Sequence, residues 1–383
     1  LELQHWRVRM ALTRAFLNSQ RYDESKGSIN NTYASPIIIN GDMNISQRGD
    51  MAGVTAAKYI SADRFFINMI NLGAFTFAAS TDTPGFGFSK SLKIDCTTAD
   101  ASPAAGDNFY LSTQTEGQNL QMMRKGTSEA KTSTVAYWIK SNKTGNYVVE
   151  LWDRTNDRHV GKVVTISQAN TWEKHVCNFP ADTTGAIAND AARSIMLSWA
   201  FDSGSNFTSG TLPSAWQARA DANRFVGTTL AIGDSTDNEI LITGVQWEMG
   251  TYDSETMPPF KFEDAASSLA RCQRYCIVYG TGEANYQQLG ETGISTSTTA
   301  CQVTFNHPTE MRGIPTLSNS GNLALGQGTS LVAMTAIAIN TNNDTRQSTG
   351  VTATVSSGLT AHKPYRIDQN NSSSSVVTFD AEL

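Results

Sequence analysis

Between residues 134 and 248 the chain reads as one short alternating run after another, each closed by a turn. No other feature restricts the fold as much. In Thr134–Lys140, Val135, Tyr137 and Ile139 take every second position. In Tyr147–Trp152 the set Tyr147, Val149, Leu151 opposes the set Val148, Glu150, Trp152. Side chains repeat every two residues only along an extended strand. Val160–Ile166, Trp172–Phe179, Ser194–Phe201, Thr228–Ile232 and Glu239–Glu248 continue the series. The turn-forming clusters Asn142-Lys143-Thr144-Gly145, Arg154–Asp157 and Asp234–Asn238 separate them. Short strands at this spacing predict a mainly β chain built around a jelly-roll β-sandwich.

The flanks differ. Residues 1–22 carry a helical pattern in which Leu3, Trp6, Met10 and Leu17 fall on one face with Phe16 beside them. Arg7, Arg9, Arg14 and Arg21 make that segment basic. Three readings stand: a helix packed on its own fold or on sister chains, an anchoring helix that docks on another protein, and, last, a helix bound at a membrane surface. Residues 23–36 are a polar linker. Residues 264–276 predict a short linking helix with Asp264 or Ser267 as N-cap. Residues 277–383 return to strands at Ala300–Phe305, Ser330–Asn340, Gly350–Ser356 and Val376–Phe379, and predict a smaller C-terminal β-sandwich. Polar loops are expected at Asn319–Gln327 and Asn340–Thr349. The expected units are therefore 1–36, 37–263, 264–276 and 277–383.

Composition removes several classes of function. A net charge of -6 does not suit a nucleic-acid binder, which needs basic surface to displace counterions. No apolar run approaches the ~18 residues of a membrane-spanning helix, so no membrane insertion is expected. No leader of the charged, apolar, small-residue kind is legible at the start. The five cysteines are scattered without a CxxC pair, which predicts buried or free thiols.

The five histidines are dispersed, and no metalloprotease, P-loop or nucleophile-elbow motif occurs. No catalytic residue and no cofactor is expected. Glu150, Asp153 and Asp157 invite comparison with a glycosidase pair, but Asp153 and Asp157 flank a turn, where aspartate serves conformation. Asp234, Asp237 and Asn238 offer oxygen ligands for a structural calcium ion, with a solvated turn as the simpler reading.

The stretch from Gln246-Trp247-Glu248 through Pro258-Pro259, Phe260 and Phe262 to Cys272-Gln273-Arg274-Tyr275 resembles the "QLE-G... TPFE-R... ELA-CQRY" segment of bacteriophage tail fibre and other virion-surface proteins. Asn40-Gly41 with Gln47-Arg48-Gly49 and Ala62-Asp63-Arg64-Phe65 resembles their "NG-F-I-QRG... Y-ADRW" opening, with Phe65 in place of the usual tryptophan. Met311-Arg312-Gly313-Ile314-Pro315-Thr316 resembles their "F--PMR--PT" stretch. The resemblance implies a carbohydrate-binding-like sandwich in a homotrimeric fibre, assembled in the host cytoplasm and carried on the virion. It also implies other virion proteins as partners of the N-terminal helix and a host-surface glycan as ligand.

Sugar binding needs aromatic faces for pyranose C–H surfaces and polar groups for hydroxyls. The long loop Asp202–Val226 holds Phe207, Trp216, Arg219 and Arg224, and resembles the fibre-protein loop "SGSN-TTGTL---W". Trp216 either serves as a sugar platform or packs the loop on the sandwich. Tyr147 or Trp152 on the sheet face is a second candidate, since one member of each alternating pair must face outward. Three functional classes follow: a glycan adhesin, a capsid, neck or baseplate component without host ligand, and a polysaccharide depolymerase.

Overall fold

The computed structural model describes residues 35–280 and 285–383, apart from the side chains of 341–343. The N-terminal helix expected from Leu3, Trp6, Met10, Phe16 and Leu17 lies outside the described residues.

Strands appear where the alternation places them. The first seven are β1 (Met51–Val54), β2 (Lys58–Tyr59), β3 (Phe65–Ile70), β4 (Ala74–Ser80), β5 (Ser91–Thr98), β6 (Asn108–Glu116) and β7 (Ser133–Ser141). Then come β8 (Gly145–Asp153), β9 (Arg158–Ile166), β10 (Glu173–Phe179), β11 (Arg193–Ser203), β12 (Gln217–Ala218) and β13 (Glu239–Met249). They form two sheets, in the orders β1-β4-β5-β13-β7-β10 and β12-β9-β8-β11-β6-β3-β2. Their pairs are antiparallel, and from β6 to β8 the chain crosses to the opposite sheet at every step. Such crossing is how a sandwich buries both inner faces in one core.

That core is aromatic. Phe65, Phe75, Phe77, Phe109, Tyr137, Tyr147, Trp199 and Phe201 are fully buried between the sheets. Val135, Tyr137 and Ile139 all point inward, as their spacing requires. Burial of a tyrosine leaves its hydroxyl in need of a partner. The hydroxyls of Tyr137 on β7 and Tyr147 on β8 meet across the core at 2.7 Å.

One expected strand is absent. Thr228–Ile232 stays irregular because Thr229 and Leu230 both donate their N–H to the Asn146 carbonyl, at 2.8 and 2.9 Å. Ala231 then turns left-handed at φ 47°. Leu230 and Ile232 are nevertheless fully buried, which is what made the segment read as a strand.

Helix Ala265–Gln273 follows, and Asp264 is its cap: the carboxylate accepts from the Ser267 N–H at 3.0 Å. The chain then forms β14 (Cys276–Tyr279), β15 (Gln288–Ser295), β16 (Ala300–Asn306), β17 (Thr316–Ser320) and β18 (Leu323–Gln327). It ends with β19 (Ser330–Asp344), β20 (Ser348–Val355), β21 (Pro364–Gln369) and β22 (Val376–Asp380). The strands β15-β16-β20-β19-β18-β21 close into a barrel, and β14-β22-β17 form a small sheet packed on it. The segments Asn319–Gln327 and Asn340–Thr349, expected as polar loops, are largely strand. Small residues such as Ala324 and Gly326 fill the barrel wall there and leave little hydrophobic contrast to read.

The sandwich and the barrel have separate cores. The motifs that carry the fibre-protein resemblance meet at their junction. The Gln47 side-chain amide donates to the Cys276 carbonyl at 2.9 Å. Arg48 donates to Asp380 and Glu382 at 3.2 and 3.1 Å, and Arg64 is ion-paired with Glu382. Arg274 binds Glu116 through two hydrogen bonds, of 2.8 and 2.9 Å. Arg312 donates to the carbonyls of Ala381 and Glu382, at 2.8 Å each. Buried charge is costly unless paired, so these arginines hold the two units in one relative position.

Candidate functional site

The long loop packs down on the outer face of the second sheet. Its Phe225 ring lies 5.4 Å from Tyr110 and 5.9 Å from Phe207. With Val148, Trp152, Met196 and Ala200 they make a satellite apolar cluster. Beneath it, Arg224 donates to Glu150 at 2.7 Å, and His159 shares a hydrogen bond with the same carboxylate at 2.9 Å. Burial pushes the Glu150 carboxyl up, but the charges of Arg224 and the His159 hydrogen bond outweigh it and hold it below the usual carboxylate range.

This arrangement decides what the expected sugar residues can offer. Trp152 and Trp216 are each only 9% exposed. The Trp216 N–H donates to the Pro180 carbonyl at 2.9 Å. Trp152 donates to Asp157 at 3.1 Å, and its ring is flanked by the guanidiniums of Arg154, Arg219 and Arg224 at 3.9, 4.1 and 4.7 Å. Phe207 is half-buried against Phe225, and Arg219 is engaged by Asp221. In this conformation neither tryptophan presents a free face for stacking.

The carboxylates of interest are likewise occupied and lie in separate surroundings. Asp153 is buried against Lys125, and Asp157 accepts from Trp152. Asp234 is engaged by Lys143 and by the Asn238 amide, the latter at 2.7 Å. Among the described residues no three His, Cys, Asp or Glu side chains gather as metal ligands.

A free aromatic face exists on the other sheet. The turn Pro84-Gly85-Phe86-Gly87-Phe88 holds three successive residues at positive φ: Gly85 at 82°, Phe86 at 52° and Gly87 at 91°. Glycine takes that conformation freely, whereas phenylalanine pays about 1–2 kcal/mol for it. The strained residue is also 75% exposed. Its ring stacks on Trp138 of β7, with centroids 5.1 Å apart and planes 19° from parallel. The turn is closed by Phe88 N–H donating to Gly85 O at 3.0 Å and by the Thr83 hydroxyl donating to Phe88 O at 3.0 Å.

Neighbours hold this ledge in place. Trp172, partly exposed, donates its N–H to Asp82 at 2.9 Å. Asp82 also pairs with Lys140, which shares the outer face of β7 with Trp138. The Lys140 ammonium keeps the Asp82 carboxyl below its ordinary range. Gly244 sits at φ 65° on β13, and a Cβ there would lie 2.7 Å from Phe88 and 3.1 Å from Trp138. Phe260 and Phe262, the aromatic pair after the double proline, meet Phe88 edge-on and tilted, with centroids 5.0 Å away. The ledge therefore combines rings of Phe86, Trp138 and Trp172 with an ion pair at its rim. Sequence reasoning placed none of these three rings in a site; for Phe86 the legible signal was a phenylalanine between two glycines.

No protein-family model matches the chain, and no curated protein matches it in sequence. Solved structures do share similarity. The enzymatically active domain of tailspike protein 4 from bacteriophage CBA120 is 10% identical at a TM-score of 0.28, covering 56% of this chain but 21% of that one. A family 11 carbohydrate-binding module from Clostridium thermocellum, in complex with a mixed-linked tetrasaccharide, is 6% identical at 0.26, covering 54% and 98%. The CBM22-1 xylan-binding domain of Paenibacillus barcinonensis Xyn10C is 10% identical at 0.25, covering 57% and 97%. At such values the sandwich rests on the strand pairings of this chain itself, and nothing of those proteins' activities carries over.

Proposed function

We propose that this protein is an attachment component of a phage particle, of the tail-fibre kind, which engages host-surface glycans through the Phe86 ledge. One observation carries the reading: a phenyl ring is held in solvent on a left-handed backbone, stacked on a tryptophan. Backbone strain and exposed apolar area both cost stability, and proteins keep them together where a ligand is met. Aromatic faces beside a carboxylate and an ammonium suit pyranose rings and their hydroxyls.

The fibre assignment draws on the resemblance in the sequence, and with it come the homotrimer and the docking of residues 1–22 on other virion proteins. Shallow ledges bind single sugars weakly, and three copies on one stalk raise the effective affinity by about 10²–10⁴. The test is binding of the labelled protein to host cells, with and without periodate oxidation of surface glycans. Periodate-sensitive binding that Phe86→Ala abolishes is the expected result. Binding indifferent to both treatments would remove glycan recognition from the ledge. No binding to untreated cells would favour a structural component of the particle.

A further inference from the structure

The small sheet β14-β22-β17 has two unlike faces. Ile277, Leu317, Val377 and Phe379 pack on the barrel core. Alternation places Val278, Ser318, Ser320, Val376 and Thr378 on the opposite face, where Ser318 pairs with Thr378 and Ser320 with Val376. That face fronts on strands β1 and β2 and the turn Gln47–Gly49 of the sandwich. Between them lies a cleft of about 740 Å³. Small-molecule sites commonly occupy about 300–1,000 Å³.

The two sides of the cleft differ in chemistry. On the sheet side, the hydroxyls of Ser318, Ser320 and Thr378 make no hydrogen bond to another described residue. On the sandwich side stands a fixed ring. Tyr59 meets Phe66 edge-on at 5.1 Å, and its hydroxyl donates to the Leu383 carbonyl at 3.0 Å. Met51 lies beside it. Arg48 also lines the cleft: its side chain is 9% exposed, its guanidinium lies 5.3 Å over the Tyr59 ring, and its buried Nη1 faces Asp63 at 3.9 Å. The charges here balance, with Arg48, Arg64 and Lys58 against Asp63, Asp380 and Glu382.

We infer that this cleft is a second binding site, separate from the Phe86 ledge, for a neutral oligosaccharide of about two or three sugar units. An apolar ligand would leave the serine and threonine hydroxyls unpaired, at a cost for each. An anionic ligand would need surplus positive charge, and the balance leaves none. A neutral polyol matches the hydroxyls, and the part of the Tyr59 ring left open beside Arg48 offers apolar surface to a pyranose.

The test is calorimetric titration of the full chain with maltotriose, cellotriose, mannotriose and β-1,4-galactotriose, and with trigalacturonate as the acidic control. Three proteins are compared: wild type, Ser320→Trp and Phe86→Ala. Ser320 is exposed on an edge strand, so the indole fills the cleft without entering a core. We expect at least one neutral trisaccharide to bind, Ser320→Trp to weaken it by about tenfold or more, and Phe86→Ala to leave it within about twofold. Absence of binding by every neutral trisaccharide overturns the inference, as does tighter binding of trigalacturonate. Loss through Phe86→Ala with Ser320→Trp unaffected would assign the sugar to the ledge alone. Light scattering on the same samples supplies the last arm: an oligomer dissociated by Ser320→Trp would make the cleft a contact between copies and overturn the inference.

Discussion

The guanidinium of Arg64 lies 3.4 Å from the centroid of the Tyr275 ring. Arg64 belongs to the sandwich and Tyr275 to the segment entering the barrel, so this contact joins two sequence motifs that lie far apart along the chain. Arg64 also pairs with Glu382 and donates to the Gln114 carbonyl at 2.8 Å. Tyr275 donates its hydroxyl to Glu116. Arg48, Arg64, Arg274 and Arg312 of the motifs shared with fibre proteins thus weld the two units together, whereas Phe260 and Phe262 pack on Phe88 beneath the aromatic ledge.

Removing Arg64 takes one of two cations from the buried Glu382, which keeps Arg48, and leaves the Tyr275 ring and the Gln114 carbonyl without their partner. Arg64→Ala is expected to lower the unfolding free energy by about 3–5 kcal/mol. Urea unfolding with fluorescence detection measures it. A loss under about 1 kcal/mol would show that Arg48 alone satisfies Glu382.

Acid should loosen the same junction. Burial raises the Glu116 carboxyl, but hydrogen bonds from Arg274 and Tyr275 outweigh it, leaving the group below its ordinary value. A depressed carboxylate contributes stability that is present above its unfolded value and lost as pH falls through the folded one. Thermal stability is therefore expected to decline below about pH 4.5, and Glu116→Gln should flatten that part of the profile. An unchanged slope in the variant would place the acid sensitivity elsewhere.

The long loop should depend on its buried pair. Glu150→Ala leaves Arg224 buried beside His159 without its carboxylate, at a cost of about 3–5 kcal/mol. Arg224→Met with Glu150→Leu removes both charges and is expected to cost less than either single change to alanine. Equal losses for the single and double variants would mean that the loop is held by Phe225 and Tyr110 packing instead.

Phe86→Gly separates strain from function. It relieves about 1–2 kcal/mol of left-handed strain and forfeits about 0.5–1.5 kcal/mol of ring stacking on Trp138. The melting temperature should therefore change little while glycan binding falls. A marked drop in melting temperature would make Phe86 a structural residue.

Gly244→Ala tests the support of the ledge. The added methyl sits at φ 65° and 2.7 Å from the Phe88 ring, so Phe88 or Trp138 must shift. Loss of glycan binding with a smaller loss of stability is expected; calorimetry and titration on the same sample report both.

The alternation of Val135, Tyr137, Ile139 with their outward neighbours was enough to establish strands, their inward faces and a sandwich, because period two is a local property of extended backbone. The Asp264 cap was legible for the same reason, since its partner is three residues away. Exposure was not local. Trp152 lies on the outer face of its strand, as alternation allows, yet the Asp202–Val226 loop buries it through Arg219 and Arg224. Phe86 looked unremarkable among short polar runs, yet the turn lifts it into solvent. Thr228–Ile232 had strand residues, but one carbonyl of Asn146 took both of their donors. Periodicity states which way a side chain points; only the tertiary structure decided what, if anything, comes to cover it, because the covering groups arrive from distant parts of the chain.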